Sequence, residues 1–417
     1  MDDRGLETLL AVALLAAVAR ILAAALPPRW RIPQVVILVF SGILIGPHGL
    51  GLADTASIRL LSNVGLGFLL LLAGYELELR LLRTHPGRLA IAGWAVSAAI
   101  SLAAVAGLTS VGYVRDFIPV ALALTTTALG TLLPILGDNE MLGGAFGRCV
   151  LAAGAAGELL PIVAISLFLT KRDQFVSVGS LVAVAALALL LTRLPNLIGA
   201  DRLRALVRQG QRATAQTTLR WSIALLLALL VLAERFGLDV LLGAMLAGMV
   251  LRTWTRRMDL DVGSLEDKLD AVGYGIFIPI FFVASGMTLD VSAVLKDPLR
   301  LLIFLGLMLA VRGLPSLVLY RRALSWSQRV QMTFITATTM PLLIALAEIG
   351  LQDGVMLPAN AAAMVGAGAL SILIYPSVAV ALARRDGKDA APPGTAPQDA
   401  VAAAPGTGQQ PGASAAR

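Results

Sequence analysis

From Phe146 to Leu169 the chain reads FGRCVLAAGAAGELLPIVAISLFL, and this stretch limits the possible folds more than any other. It is long enough to cross a bilayer as an α-helix, which takes about 20 apolar residues. At its middle stands one carboxylate, Glu158, with Gly157 before it and Pro161 soon after. A charge at mid-membrane depth costs about 2.5 kcal/mol or more, and such residues face a water-filled cavity or a partner. Glu158 is therefore read as an ion- or proton-handling group rather than one paired only for packing or assembly.

Similar apolar segments fill most of the chain. Of 417 residues, 58% are hydrophobic and 14% charged, where a soluble domain has about a quarter charged. The fold class that follows is an all-α polytopic membrane protein embedded in the lipid bilayer. Thirteen spans can be drawn, at 6–26, 33–52, 57–79, 89–111, 117–136, 146–170, 176–195, 220–236, 238–254, 267–289, 298–319, 328–350 and 355–383. The opening MDDRGLE is acidic and lacks a cleavage site, so the first apolar run is expected to be a retained span. Residues 1–384 then form one membrane domain. Residues 385–417, rich in Ala, Pro, Gly and Gln, are expected to be a disordered tail. Cys149 is the single cysteine, which excludes an intrachain disulfide.

The formal charge of +7 points to cytoplasmic loops and not to nucleic acid, because no basic run is interleaved with aromatics. With the N-terminus outside, 23 of the 33 lysines and arginines fall on the cytoplasmic side and 8 on the outer side. Six of the 23 are the arginines from Arg193 to Arg220. Lys and Arg accumulate in cytoplasmic loops. The expected topology is a multi-pass protein of a bacterial-type cell membrane, N-terminus outside and C-terminus cytoplasmic.

The chain also echoes itself. Gly74 is followed four residues on by Glu78, and Gly286 four residues on by Asp290. Fifty-one residues after Gly74 comes Thr125 of TTTALGTLLPIL; fifty after Gly286 comes Thr336 of TATTMPLLIALAEIG. FSGILIG at 40–46 resembles LAGMVLR at 246–252. Spans 2–6 thus match spans 9–13 at an odd offset, which inverts one copy relative to the other. Inverted repeats, here about 33–170 and 238–383, are common in transporters.

Two matched spans join threonines to a proline: Thr125, Thr126 and Thr127 with Pro134, and Thr336, Thr338 and Thr339 with Pro341. Proline removes a backbone donor and clashes with the preceding turn, and threonine hydroxyls satisfy groups so freed. A single such span reads as an ordinary kink. A matched pair in inverted copies marks two crossed discontinuous helices and a binding site. The other deep charge is Arg312, in LGLMLAVRGLPSLVL. It stays protonated and needs an anion or free carbonyls, so it is read as the charge partner of Glu158. Glu76, Glu78, Asp290 and Glu348 lie near span ends, where solvated or capping roles are expected.

These residues resemble the monovalent cation:proton antiporter superfamily, in particular its Kef-type and bacterial sodium/proton antiporter branch. The resemblance runs from about Pro33 to Pro376. It is carried by SGILIGPHGLGL (41–52), GFLLLLAGYELELRLLR (67–83), TTTALGTLLPIL and GIFIPIFFVASGMTLD (275–290). It implies a core of crossed broken helices, a dimerisation domain, a homodimer and an elevator-type movement. The family's ion-binding acid falls on a pair of adjacent polar residues that here reads Gly157-Glu158. The second position keeps a carboxylate; the first has lost its polar side chain. The family's basic residue of span 11 falls on Arg312.

The expected function is secondary active transport, not enzymatic catalysis: a monovalent cation, Na+ or K+, exchanges for protons. Ion and proton compete for Glu158, with Thr126 and Thr127 as oxygen ligands and Thr125, Pro134, Thr338, Thr339 and Pro341 supporting the broken helices. With one titrating acid and an arginine that keeps its proton, exchange should be electroneutral. Two other classes compete, a non-transporting antiporter relative serving as a membrane sensor or assembly partner, and an organic-anion symporter using Arg312. No cofactor motif appears. With His48 and His85 the only histidines, zinc chemistry lacks ligands, and no metal beyond the transported ion is expected. Reporter fusions after Arg385 and near Arg208 are both expected to score cytoplasmic; opposite scores at the two points would sink the thirteen-span topology.

Overall fold

A computed structural model describes residues 3–25, 33–169, 174–198, 216–257, 262–352 and 354–390. Most of the arginine-rich loop between Arg193 and Arg220, and residues 391–417 of the expected tail, lie outside the described residues. The described residues form helices and no strand. In order these are α1 (Asp3–Ala25), α2 (Gln34–Ile45), α3 (Thr55–Glu76), α4 (Leu79–Leu82), α5 (His85–Ser110), α6 (Phe117–Ala123), α7 (Leu129–Asp138), α8 (Gly144–Phe168), α9 (Gln174–Ile198), α10 (Thr217–Arg235) and α11 (Val240–Arg257). There follow α12 (Val262–Val272), α13 (Ile278–Met287), α14 (Val291–Lys296), α15 (Pro298–Met308), α16 (Pro315–Leu319), α17 (Trp326–Ala337), α18 (Pro341–Gln352) and α19 (Pro358–Ala390). Helix α19 runs six residues past the boundary expected at 384.

Among the described residues, ten helical stretches are long and apolar enough to cross a membrane. The spans expected at 33–52, 117–136 and 238–254 fall on α2, α6–α7 and α11. The first is short, the second is broken, and the third ends in Arg252, Arg256 and Arg257. Ten of the thirteen expected spans thus fall on helices of full membrane length among the described residues, and these three do not.

Local chemistry sets the ends and bends. Asp54 caps α3 by accepting from the amides of Ala56 and Ser57, and Ser325 with Gln328 forms a capping box on α17. Two π-helical turns, Gly273–Phe277 before α13 and Leu309–Gly313 before α16, widen otherwise continuous helices. Each stands just ahead of a proline, Pro279 or Pro315. The carbonyl that a helical proline leaves unpaired lies four residues back, which is Gly275 and Val311, inside the two turns.

The helices pack as two groups. One contains α1, α2, α3, α10, α11 and the α12–α13 rod; the other contains α5 to α8 and α15 to α19; α9 touches both. Glycines set the closest contacts of the first group. A Cβ added at Gly42 would lie 2.0 Å from the carbonyl oxygen of Val283, and one at Gly286 would lie 2.2 Å from that of Val39. Likewise, Gly74 would meet the Met245 oxygen at 2.1 Å and Gly248 the Leu71 oxygen at 2.0 Å. In the repeat read from the sequence, Gly42 corresponds to Gly248 and Gly74 to Gly286. The α2–α13 and α3–α11 crossings are images of one another under that correspondence. Small residues let backbones meet where lipid supplies no hydrophobic drive between helices. Gly74→Val and Gly286→Val are expected to cost at least the roughly 1–3 kcal/mol of overpacking, read as lost monodispersity or a lowered Tm in detergent. Gly107→Ala, with nothing within 4 Å of the added Cβ, should melt with the parent protein.

Candidate functional site

The second group is built around two interrupted helices. Helix α6 stops at Ala123 and α7 begins at Leu129; α17 stops at Ala337 and α18 begins at Pro341. Threonine hydroxyls add donors to carbonyls of the last turns, where Leu122 O and Ala123 O keep only short-range amides, from Thr125 at 3.0 Å and Thr126 at 3.3 Å. Thr125 Oγ1 donates to Leu122 O at 2.7 Å, Thr126 Oγ1 to Ala123 O at 2.8 Å and Thr338 Oγ1 to Phe334 O at 3.0 Å. The two extended segments then bond to each other. The Ala128 amide donates to Thr338 O at 2.9 Å, Thr127 Oγ1 donates to Thr336 O at 2.8 Å, and the hydroxyls of Thr126 and Thr339 lie 2.5 Å apart. Pro341 begins α18, where a missing N–H costs nothing. Pro134 lies inside α7 and not at the break.

Helix α8 passes this crossing without interruption and contains Pro161. Proline cannot donate to the carbonyl four residues back, so Gly157 O is free to accept from outside its helix. It accepts the Thr127 amide at 3.0 Å. The next residue is Glu158, whose Oε1 accepts the amides of Leu129 at 2.8 Å and Gly130 at 3.4 Å. These are first-turn amides of α7, so the half-buried carboxylate sits at a helix N-terminus. The helix dipole favours an anion there by about 0.3–1 kcal/mol, more when partly buried.

Arg312, in the π-turn ahead of α16, is 3% exposed. Its Nε donates to Thr127 Oγ1 and its Nη2 to Ala153 O, both at 2.9 Å. Among the described residues no ion pair joins it to Glu158. The expected charge partner instead belongs to the crossing. Hydroxyl and carbonyl oxygens solvate the guanidinium, whose rigid fork suits such sites.

A cavity of about 870 Å³ lies between the two helix groups. From the second group it is lined by Glu158, Thr127, Ala128, Gly130 and Thr131, and from the first by Glu76, Tyr274 and Phe282. Arg20 and Asp138, at the ends of α1 and α7, line it where those helices finish. Thr127 lines the cavity; Thr126 is fully buried in the crossing and does not. Thr131 Oγ1 is a buried hydroxyl with no hydrogen-bond partner, an oxygen the sequence pattern passed over.

Glu76 was expected at a solvated span end. The structure puts it in the cavity wall, and a Cβ at Gly130 would lie 3.9 Å from its Oε2. Two carboxylates from different helix groups thus converge on the start of α7. Glu348, also expected near solvent, is 9% exposed and accepts from Ser285 Oγ at 2.8 Å across the two groups. Hydropathy could not separate these two from Glu78, because all three stand near span ends. Glu78 does lie outside α3, where a hydrogen bond from Arg256, with Arg252 also bonded, holds its carboxyl below the usual range.

A membrane protein with two crossed discontinuous helices and a carboxylate beside them in a cavity has the build of a secondary transporter. The family model for the transmembrane sodium/hydrogen exchanger matches residues 13–385, and the chain belongs to that family. It is 24% identical over 343 residues to the putative Na(+)/H(+) antiporter YjbQ of Bacillus subtilis, covering 78% of this chain and 55% of that one. It is 26% identical over 342 residues to the Na(+)/H(+) antiporter NhaS5 of Synechocystis sp., covering 78% and 47%. With the glutathione-regulated potassium-efflux system protein KefC of Escherichia coli it shares 26% over 290 residues, covering 66% and 44%. The matches thus take in about half the length of those relatives. The fold is similar to the sodium proton antiporter MjNhaP1 of Methanocaldococcus jannaschii, with a TM-score of 0.63 and 19% identity, covering 91% of this chain and 96% of that one.

The placement of the hydroxyls separates structure from site. Thr126→Val is expected to lower stability by about 1–3 kcal/mol, the cost of an unmade buried hydrogen bond, while leaving the cation KM of exchange unchanged. Thr131→Val should raise that KM and leave the Tm unchanged. The reverse pattern would place the ligand hydroxyl in the crossing.

Proposed function

We propose that this chain exchanges a monovalent cation, Na+ or K+, for protons across the membrane, with ion and proton competing for Glu158. The observation that carries this reading is the Glu158 carboxylate itself: it lines a cavity, is held by two backbone amides and, among the described residues, has no cationic side chain bonded to it. The amides hold Oε1 and leave Oε2 for a proton or a cation. Hard monovalent cations prefer oxygen, and Thr131 Oγ1 and the backbone around Thr127 offer it beside the carboxylate. A proton or a cation each neutralises Glu158, and a neutral site moves past apolar walls at lower cost than a charged one.

Exchange is proposed to be electroneutral. Arg312 keeps its proton at physiological pH and is fixed in the crossing, so it carries nothing. Glu76 stands on the opposite helix group and would not travel with Glu158 in an elevator movement. With the N-terminus outside, the cavity end at Arg20, Glu76 and Asp138 faces the cytoplasm. The proposed assembly is a homodimer, as the resemblance implies. An organic-anion symporter fits the site less well, because Arg312 does not line the cavity while Glu76, Asp138 and Glu158 do.

Proteoliposomes loaded with a pH-sensitive dye test the reading. Na+, K+ or Li+ added in turn should move protons in the wild type for at least one ion. Glu158→Gln should abolish exchange and Glu158→Asp keep part of it; full exchange by the Gln variant would assign the ion to another residue. No proton movement with any ion would favour the sensor reading. An imposed membrane potential should leave the exchange equilibrium unchanged, although one charge crossing 100 mV is worth about 2.3 kcal/mol. A voltage shift that disappears in Glu76→Gln would show that Glu76 carries a second proton.

A further inference from the structure

The glycine at 157 leaves a space that is already occupied. A Cβ built there would lie 2.5 Å from Thr127 Oγ1, 2.6 Å from Arg312 Nη2 and 2.7 Å from Thr127 Cβ. The guanidinium therefore stands where a side chain at 157 would begin. From that place Arg312 reaches both sides of the crossing, Thr127 on the extended segment and Ala153 O on α8. The Thr127 amide closes the same contact by donating to Gly157 O. Two residues beyond Thr127, the Leu129 amide binds Glu158.

We propose that Arg312 is a positioning residue for Glu158. Lodged in the space left by Gly157, it clamps the Thr127 segment to α8, in the register that aims the Leu129 and Gly130 amides at the carboxylate. Gly157 and Arg312 act as one device: a side chain at 157 must expel the guanidinium or push Thr127 off α8. Either outcome releases the clamp, and a thinner cation at 312 restores part of the room. This deepens the proposed function and rests on Glu158 being the exchanging group.

Two measurements on the full chain test it. Amide hydrogen exchange over 124–133 reads the clamp whether or not the protein transports. Arg312→Lys keeps the charge but loses the fork, so this segment should exchange faster in the variant while a peptide from α10 exchanges as before. In proteoliposomes, Arg312→Lys should raise the cation KM about tenfold, the effect of losing one charge-assisted hydrogen bond, with kcat less affected. Gly157→Ala should also raise KM, and the double variant should lose less than the product of the two single losses. Unchanged hydrogen exchange in Arg312→Lys, or a Gly157→Ala protein with wild-type KM, would overturn the proposal. If the wild type transports no cation, the proposed function fails, and the hydrogen-exchange arm still decides the clamp.

Discussion

An unpaired backbone group in the hydrocarbon region costs several kcal/mol, and the centre of this molecule is arranged around that cost. Two helices stop in mid-membrane, so several amides and carbonyls lose their helical partners at one depth. Some are paired by crossing the two breaks: the Ala128 amide donates to Thr338 O and the Thr127 hydroxyl to Thr336 O, while the hydroxyls of Thr126 and Thr339 meet beside them. Pro161 adds one more acceptor, because its missing N–H frees Gly157 O for the Thr127 amide. First-turn amides of α7 remain, and Glu158 accepts two of them. The carboxylate is thus held by the same shortage of backbone partners that the break creates. Its place in the membrane follows from α8 being the continuous helix beside the crossing.

The two helix groups divide the work. The first is drawn tight by glycine-to-carbonyl contacts at Gly42, Gly74, Gly248 and Gly286, which leave its helices little room to shift against each other. The second carries the crossing, Glu158 and Arg312. The cavity lies between them, with Glu76 on one wall and Glu158 on the other. A sliding movement of one group along the other would change that separation and would break the Ser285–Glu348 hydrogen bond. Packed interfaces of this kind switch between discrete arrangements instead of deforming continuously.

The fold class, the broken helices and Glu158 were legible in the sequence because each leaves a pattern in one dimension. Apolar runs of bilayer length have few alternatives, threonines beside proline in two matched spans mark a break, and a lone carboxylate in such a run stands out. Arg312 was legible as a deep charge, but its partners were not. Pairing it with Glu158 assumed that the two deep charges meet, while hydroxyl and carbonyl oxygens at the crossing solvate the guanidinium. Glu76 and Glu348 were misjudged for a related reason. Hydropathy measures distance from a span's end along the chain, and a cavity brings water and neighbours to residues well inside that limit. Thr131 could have been found only by asking which hydroxyl of TTTALGT lacked a backbone acceptor, which needs coordinates. Hydropathy did not show which spans are short or interrupted, because such helices look the same as long ones in a one-dimensional pattern.

The central claim is that one carboxylate holds either a proton or a cation. Its most direct measurement is the number of protons released when purified protein in detergent binds Na+ or K+, read with a dilute pH indicator. Binding to a site that must first deprotonate releases protons. The account predicts one proton released per cation bound by the wild type at a pH where free Glu158 is protonated, falling towards none as the pH rises through its titration, and neither binding nor release by Glu158→Gln. Cation binding without proton release at every pH, or release that survives in Glu158→Gln, would contradict it.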